Sequence, residues 1–340
     1  MCISIRQKHK KTGHFVCAPL YKSHKRRGIG CVRDNAYNKK RTERLGYKMT
    51  RKHMNWGWLF VSPYIFSLLV FTLVPLLISI FLSFTRYDLL NPPKWVGVQN
   101  YVRHITNPKT WTLFRNVWVY AFLAEGFGIS LATIFAVLLN QKVKGLSLFR
   151  IIYYIPGLTP TTAVALVWAR MFNPNGGVLN VILGFIGLGP FMFTFSPNWF
   201  EVICAIVLMG LWKGLGGSTI YLIAGLQAIS TDVMEAADID GAGSVKKFFK
   251  ITIPLLTPTL FFLLITGISG ALQVFEQFYL LTEDTGADVG VVNSAIYSYM
   301  WSGTSQVGVA ASLAWISFVF IAIVTYLQKK YERKWVHYDN

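Results

Sequence analysis

Glu125 and Glu276 are the carboxylates to weigh first, because each falls in a run that is otherwise apolar. An ionisable group in such a run marks a ligand or ion path by default. Gln273, Gln277 and Tyr279 flank Glu276, and Trp212 stands with Lys213 between Gly210 and Gly214 in a separate run. Amides, carboxylates and aromatic faces together can hold a polar ligand. Helix–helix hydrogen bonds and interfacial anchoring of the aromatics are the other reading. Gly210 and Gly214 are expected to serve close helix packing. The patterns of covalent, phosphate-cradling or zinc chemistry are missing from the sequence. There is no Gly-Lys dipeptide, hence no Gly-x-x-x-x-Gly-Lys-Ser/Thr loop, and neither His-Glu-x-x-His nor Gly-x-Ser-x-Gly occurs. His14, Cys17, His24 and Cys31 fit no common zinc spacing, so no metal site is expected.

The elements that carry these residues follow from composition. Of 340 residues, 53% are hydrophobic and 14% charged, where a soluble domain has roughly 25% charged. Six apolar segments reach membrane length: about residues 58–84, 116–139, 151–172, 200–226, 259–281 and 307–327. Backbone polar groups find no partner in lipid, so long continuous runs must be helices. The expectation is an all-α membrane protein of six spans. A weaker stretch, 178–195, is interrupted by Gly184, Gly187, Gly189 and Pro190 and reads as a short surface or re-entrant piece.

Charge sets orientation. Residues 1–56 hold sixteen of the 33 Lys and Arg but only Asp34 and Glu43 of the 15 acids. They read as a basic, disordered cytoplasmic tail, or as sequence upstream of a true start at Met49 or Met54. No apolar core of signal-peptide length precedes residue 57. Lys142, Lys144 and Arg150, then Lys246, Lys247 and Lys250, then Lys329, Lys330, Arg333 and Lys334 fall on the tail's side. The opposite segments 173–199 and 282–306 carry no Lys or Arg. Cationic loops stay in the cytoplasm, which puts both termini inside. The first outer loop, 86–114, departs with Arg86, Lys94, Arg103 and Lys109, and reads as a small folded cap. The six-span body is expected over 57–335, with 336–340 as a terminal end. Cys2, Cys17, Cys31 and Cys204 imply no disulfide framework, and no nucleic-acid partner is expected.

Residues 232–254 form a polar island between the fourth and fifth runs, on the cytoplasmic side. Asp232 with Glu235 three residues later signals a helix start, and Gly241 a stop. Ser244 can open a second short helix, which Pro254 and the next span end. Helices this short are marginal alone and need a surface to pack on, either their own bundle or a partner.

Glu235-Ala236-Ala237, then Gly241 after three residues, Ile251 after nine more, and Ile253-Pro254 resemble the cytoplasmic signature of permease subunits of bacterial ABC importers. Asp240-Gly241-Ala242 and Phe248 match the form seen in the sugar-importing branch. So do Val96-Gly97 with Asn100-Tyr101, Trp168 with Phe172-Asn173-Pro174, Gly177 with Asn180, and Ala224-Gly225-Leu226-Gln227. The family usually has Leu at Ile253, and Gly-Gly-Pro where Glu283-Asp284-Thr285-Gly286 stands.

The resemblance implies a type I importer fold in the bacterial plasma membrane, with coupling helices between spans four and five. It implies a dimer of ATPase subunits below, a second and distinct permease alongside, and an extracellular solute-binding protein. A carbohydrate would be the cargo. ATP would be bound by the partner and no cofactor by this chain. Glu235, Ala236, Ala237, Asp240, Gly241, Ile251 and Pro254 would couple to the ATPase, with Glu235 the polar anchor. Trp212, Gln273, Glu276 and Tyr279 would line the substrate path. An ion-coupled secondary transporter and a membrane-embedded enzyme are the rival classes; no internal repeat supports the first.

Overall fold

The computed structural model describes residues 57–140, 146–282, 288–301, 306–332, 334 and 336. The basic tail with its His and Cys residues, the alternative starts, Lys142, Lys144, Arg333 and the segment Glu283 to Gly286 lie outside them. The chain forms two compact units, Met1–Leu69 and Val70–Asn340. In the first, residues from 57 onward are helical and mostly exposed.

The second unit is helical. Val74–Ser83 (α1) leads into a hairpin of Thr85–Arg86 (β1) and Lys94–Trp95 (β2), antiparallel with Thr85 opposite Trp95. Gln99–Thr106 (α2) closes this loop. The buried Asn100 amide donates to the Ser83 and Thr85 carbonyls at 2.9 Å each, and the Tyr101 and Ser83 hydroxyls lie 2.7 Å apart. The expected folded cap is therefore fastened by the Asn-Tyr pair. Pro108–Leu139 (α3) starts where Asn107 accepts from the Lys109 amide at 3.0 Å with Pro108 next, a standard N-terminal arrangement. Trp199–Ala228 (α7) is capped likewise by Asn198.

Between them lie Leu146–Leu158 (α4), Thr161–Met171 (α5) and Val178–Phe185 (α6). The third expected span is not straight: Ile151–Leu158 and Thr161–Met171 meet at 106°. Pro160 denies Thr159 a helical conformation, and the chain restarts with Pro160 extended at ψ 134°. The weak stretch after it, read as a short surface or re-entrant piece, is a short helix followed by a turn. The Asn180 amide clamps that turn, donating to the Phe191 carbonyl and accepting from the Phe191 amide at 2.9 Å each.

Thr231–Ile239 (α8) and Ser244–Lys247 (α9) follow, then a π-helical turn Phe248–Thr252, then Ile253–Ala271 (α10). Two expectations are corrected here. The cap of α8 is Ser230, whose hydroxyl accepts from the Asp232 amide at 3.2 Å, not Asp232 itself. Pro254 does not end the helix that begins at Ser244; Ser244–Ala271 is one membrane-length helical element. Proline lacks an N–H and crowds the carbonyl four residues back. The wider π-turn just before Pro254 takes up that mismatch, so the helix continues.

The fifth span also ends ten residues earlier than its apolar run. The Gln273 side chain takes the Ser269 carbonyl at 2.8 Å, while its own amide goes to Gly270 at 3.0 Å. That self-capping closes α10. Glu276–Leu281 (α11) is a separate short helix, followed by Val292–Trp301 (α12) and Val307–Glu332 (α13). Among the described residues, five helices are long and apolar enough to cross a membrane, and six spans result if the bent pair is one. The core lies among α3, α5, α7, α11, α12 and α13, around the fully buried Phe172, Ile206, Met209, Phe278 and Leu313.

Candidate functional site

Two adjoining cavities, about 420 and 500 Å³, share Tyr120, Glu125, Thr161 and Gln277 on their walls. Tyr120 and Glu125 come from α3, Thr161 from the first turn of α5 and Gln277 from α11. The Tyr120 hydroxyl donates to Gln277 Oε1 at 3.3 Å, which ties α3 to α11 across the space. The first cavity runs on to Lys213 and Ser218 of α7 and Tyr154 of α4. The second opens past Gln273, Phe275 and Glu276. Two carboxylates, an ammonium, amides, hydroxyls and aromatic edges thus face one space inside a helical membrane bundle. Such a lining suits an uncharged polyhydroxylated ligand, which needs donors and acceptors as well as apolar contact.

The sequence-predicted path residues separate here. Gln273 and Glu276 share a wall, at the turn after α10 rather than within a span. Trp212 is not on that wall; its ring packs against Trp168 at 5.8 Å. Tyr279 stacks on Phe275 at 5.4 Å and is not part of the wall. Gly210 and Gly214 line the first cavity. Gly210 also sits at the close contact expected of it, since a side chain there would meet the Tyr120 hydroxyl of α3 at 3.1 Å, whereas Gly214 has open space; a tighter approach falls at Gly216, where a side chain would meet the Tyr153 carbonyl at 2.8 Å. Tyr120 and Thr161 are cavity residues that the sequence did not single out, since their hydroxyls look like packing partners in apolar runs; Lys213, noted beside Trp212, faces the cavity where Trp212 does not.

Gly267 has a particular role. The Glu125 carboxylate lies so near its Cα that a methyl there would overlap the carboxylate oxygens. The absence of a side chain on α10 is what lets Glu125 project into the shared cavity.

On the opposite end, α8 carries Glu235, Ala236 and Ala237, of which Ala237 is buried and the other two exposed. The helix ends in a full C-terminal motif. Gly241 at φ +69° donates to the Asp238 carbonyl at 3.1 Å, and Ala242 donates to Ala237 at 2.9 Å. An L-side chain is strained at that φ. Lys247 pairs with Asp238 at 2.5 Å, joining the start of the next helix to α8. Asp240 is exposed, while Ile251 and Pro254 are half-buried in and beyond the π-turn. Met234, Phe248 and Thr252 converge with Val137 and Asn140 at the end of α3. Outward, Ile239 is 87% exposed, with Val245 and Phe249 also bare. Glu235, Ala236, Ala237, Asp240 and Gly241 thus lie on one short helix and its closing turn, with Glu235 and Asp240 exposed, whereas Ile251 and Pro254 stand apart from them in and beyond the π-turn.

Residues 127–337 match the family described as Binding-protein-dependent transport system inner membrane component. A probable ABC transporter permease protein, YesP of Bacillus subtilis (strain 168), is 33% identical over 84% of this chain and 92% of that protein. The trehalose/maltose transport system permease protein MalF of Thermococcus litoralis is 31% identical over 85% of this chain and 97% of its own. In the crystal structure of a bacterial alginate ABC transporter in complex with alginate pentasaccharide-bound periplasmic protein, one chain matches with TM-score 0.72. It is 23% identical and covers 86% of this chain and 98% of that one, so the fold is shared. The expected importer-permease fold is therefore present, and the chain is a transport subunit rather than an enzyme. It belongs to the family of inner membrane components of binding-protein-dependent transport systems.

Proposed function

We propose that this chain is the permease of an ATP-driven importer of carbohydrate, with the Tyr120–Glu125–Gln273–Glu276–Gln277 cavity as part of the passage. The observation that carries the reading is that cavity's mixed lining within a bundle of this family. Relatives named for trehalose/maltose, lactose and arabinooligosaccharide transport support the cargo class. A solute-binding protein delivers the sugar from outside. A second, distinct permease completes the pathway.

Residues 232–254 are the coupling element, and they seat in a groove of a dimeric ATPase partner, which alone binds ATP. Glu235 supplies the polar anchor, and Gly241 the turn that aims α8. Closure of the ATPase pair drives this stiff element, and through Ser244–Ala271 the motion reaches Gly267 and Gln273 at the cavity. A short helix continuous with a span transmits displacement where a loose loop would absorb it. Both termini lie in the cytoplasm.

The test is affinity purification of the chain from solubilised native membranes, with mass spectrometry of what accompanies it. Recovery of an ATPase subunit, a second permease and a solute-binding protein is expected. A homo-oligomer free of ATPase would overturn the reading.

A further inference from the structure

Four aromatic rings lead away from the cavity wall. Phe275 lines the 500 Å³ cavity. Its ring lies 5.4 Å from Tyr279, four residues on along α11, and 5.2 Å from Tyr297 on α12. Tyr279 and Tyr297 approach to 5.0 Å, edge to face. Trp301, one turn beyond Tyr297, follows at 6.4 Å and is 70% exposed. The strip is continuous from an exposed end to the cavity. Tyr279 and Tyr297 are also exposed, at 42% and 37%, while their rings order one another. The inner end is fixed: the Asn293 amide of α12 donates to the Gln273 carbonyl at 2.7 Å, holding α12 against the turn that bears Gln273 and Glu276.

We propose that Phe275, Tyr279, Tyr297 and Trp301 form an extended sugar-binding strip that holds the trailing units of an oligosaccharide while its leading unit occupies the cavity. The inference rests on the carbohydrate reading above. Sugar rings present C–H faces that lie against aromatic faces, and hydroxyls that reach flanking amides and carboxylates. Among the described residues, the Gln273 amide and the Glu276 carboxylate stand at the inner end, beside Phe275. The outer rings therefore offer contact without tight fixation, which suits a chain that must move on. Binding along the strip grows with chain length, since a disaccharide fits within the cavity and does not reach Trp301.

The test uses the complete transporter reconstituted with its ATPase, second permease and binding protein. Uptake is measured for malto- and arabino-oligosaccharides from disaccharide to hexasaccharide. In Tyr297→Ala and Trp301→Ala, KM is expected to rise about threefold to tenfold for the longest transported member and progressively less for shorter ones, with kcat steady. Tyr297→Phe and Trp301→Phe restore the long-chain KM. A rise of equal size at every length, or none at any length, overturns the strip and identifies these rings as interfacial anchors. If the wild-type assembly contains its ATPase but takes up no member of either series, and neither lactose nor alginate oligosaccharides, the carbohydrate reading itself fails and the strip with it.

Discussion

At the residue scale, glycines decide as much as charged groups. Gly241 has open space around it, so its conformation and not crowding requires it. Gly241→Ala forces an L-residue to φ +69° at a cost of about 1 kcal/mol. The expected outcome is a chain that inserts normally but transports poorly, measured as uptake per unit of membrane-embedded protein; Glu235→Lys should abolish uptake in the same assay. Asp238→Asn removes an exposed ion pair worth at most about 1 kcal/mol, and uptake should stay within about twofold of wild type. Gly267 is the opposite case. Gly267→Ala places a methyl against the Glu125 carboxylate, overpacking worth about 1–3 kcal/mol. Uptake should fall, and the pair Gly267→Ala with Glu125→Ala should recover stability relative to Gly267→Ala alone. A thermal-unfolding double-mutant cycle checks this; strictly additive effects would contradict the contact.

At the element scale, apolar runs gave away the spans because lipid leaves the backbone no alternative to helix. The same signal is blind to direction and to local capping. The mean hydropathy stays high through Leu281 despite Gln273, Glu276 and Gln277, yet the Gln273 side chain closes α10 ten residues earlier. It likewise says nothing of the 106° bend at Pro160. Pro254 misled in the other direction, because a π-turn absorbs a residue that normally stops a helix. The Gly241 turn was legible, since the spacing from the Asp232 region to a glycine is a local signal. The cavity was half legible: Glu125, Gln273, Glu276 and Gln277 stand out by polarity, whereas Tyr120 and Thr161 come together only through the crossing of three helices.

The outer loop yields a pH prediction at this scale. His104 on α2 is fully buried, and its Nε2–H donates to the Val309 carbonyl of α13 at 3.0 Å. Burial holds its pKa below the usual 6.5; nearby Arg103 acts in the same direction, and the Val309 hydrogen bond opposes them. With the folded pKa below the unfolded one, the unfolded loop binds the proton more readily. The contribution of His104 is therefore complete above about pH 6.5 and is lost as pH falls toward the folded pKa. Amide exchange across α2, corrected for intrinsic rates, should show weaker protection at pH 5.5 than at pH 7.5. His104→Gln should flatten the difference; an unchanged pH dependence in that variant would contradict the assignment.

For the whole molecule, the coupling role proposed for residues 232–254 would make them and the cavity two ends of one lever. Ser244–Ala271 begins beside α8 and ends at the turn bearing Gln273. The bare Ile239, Val245 and Phe249 give the projection an apolar surface that a groove in an ATPase would cover. The most direct measurement is site-directed cross-linking at Ile239→Cys, Val245→Cys and Phe249→Cys in membranes that retain sugar uptake. The account predicts an adduct with the ATPase subunit whose yield changes when ATP and vanadate trap the closed pair. Active membranes in which none of the three positions links to an ATPase would contradict it.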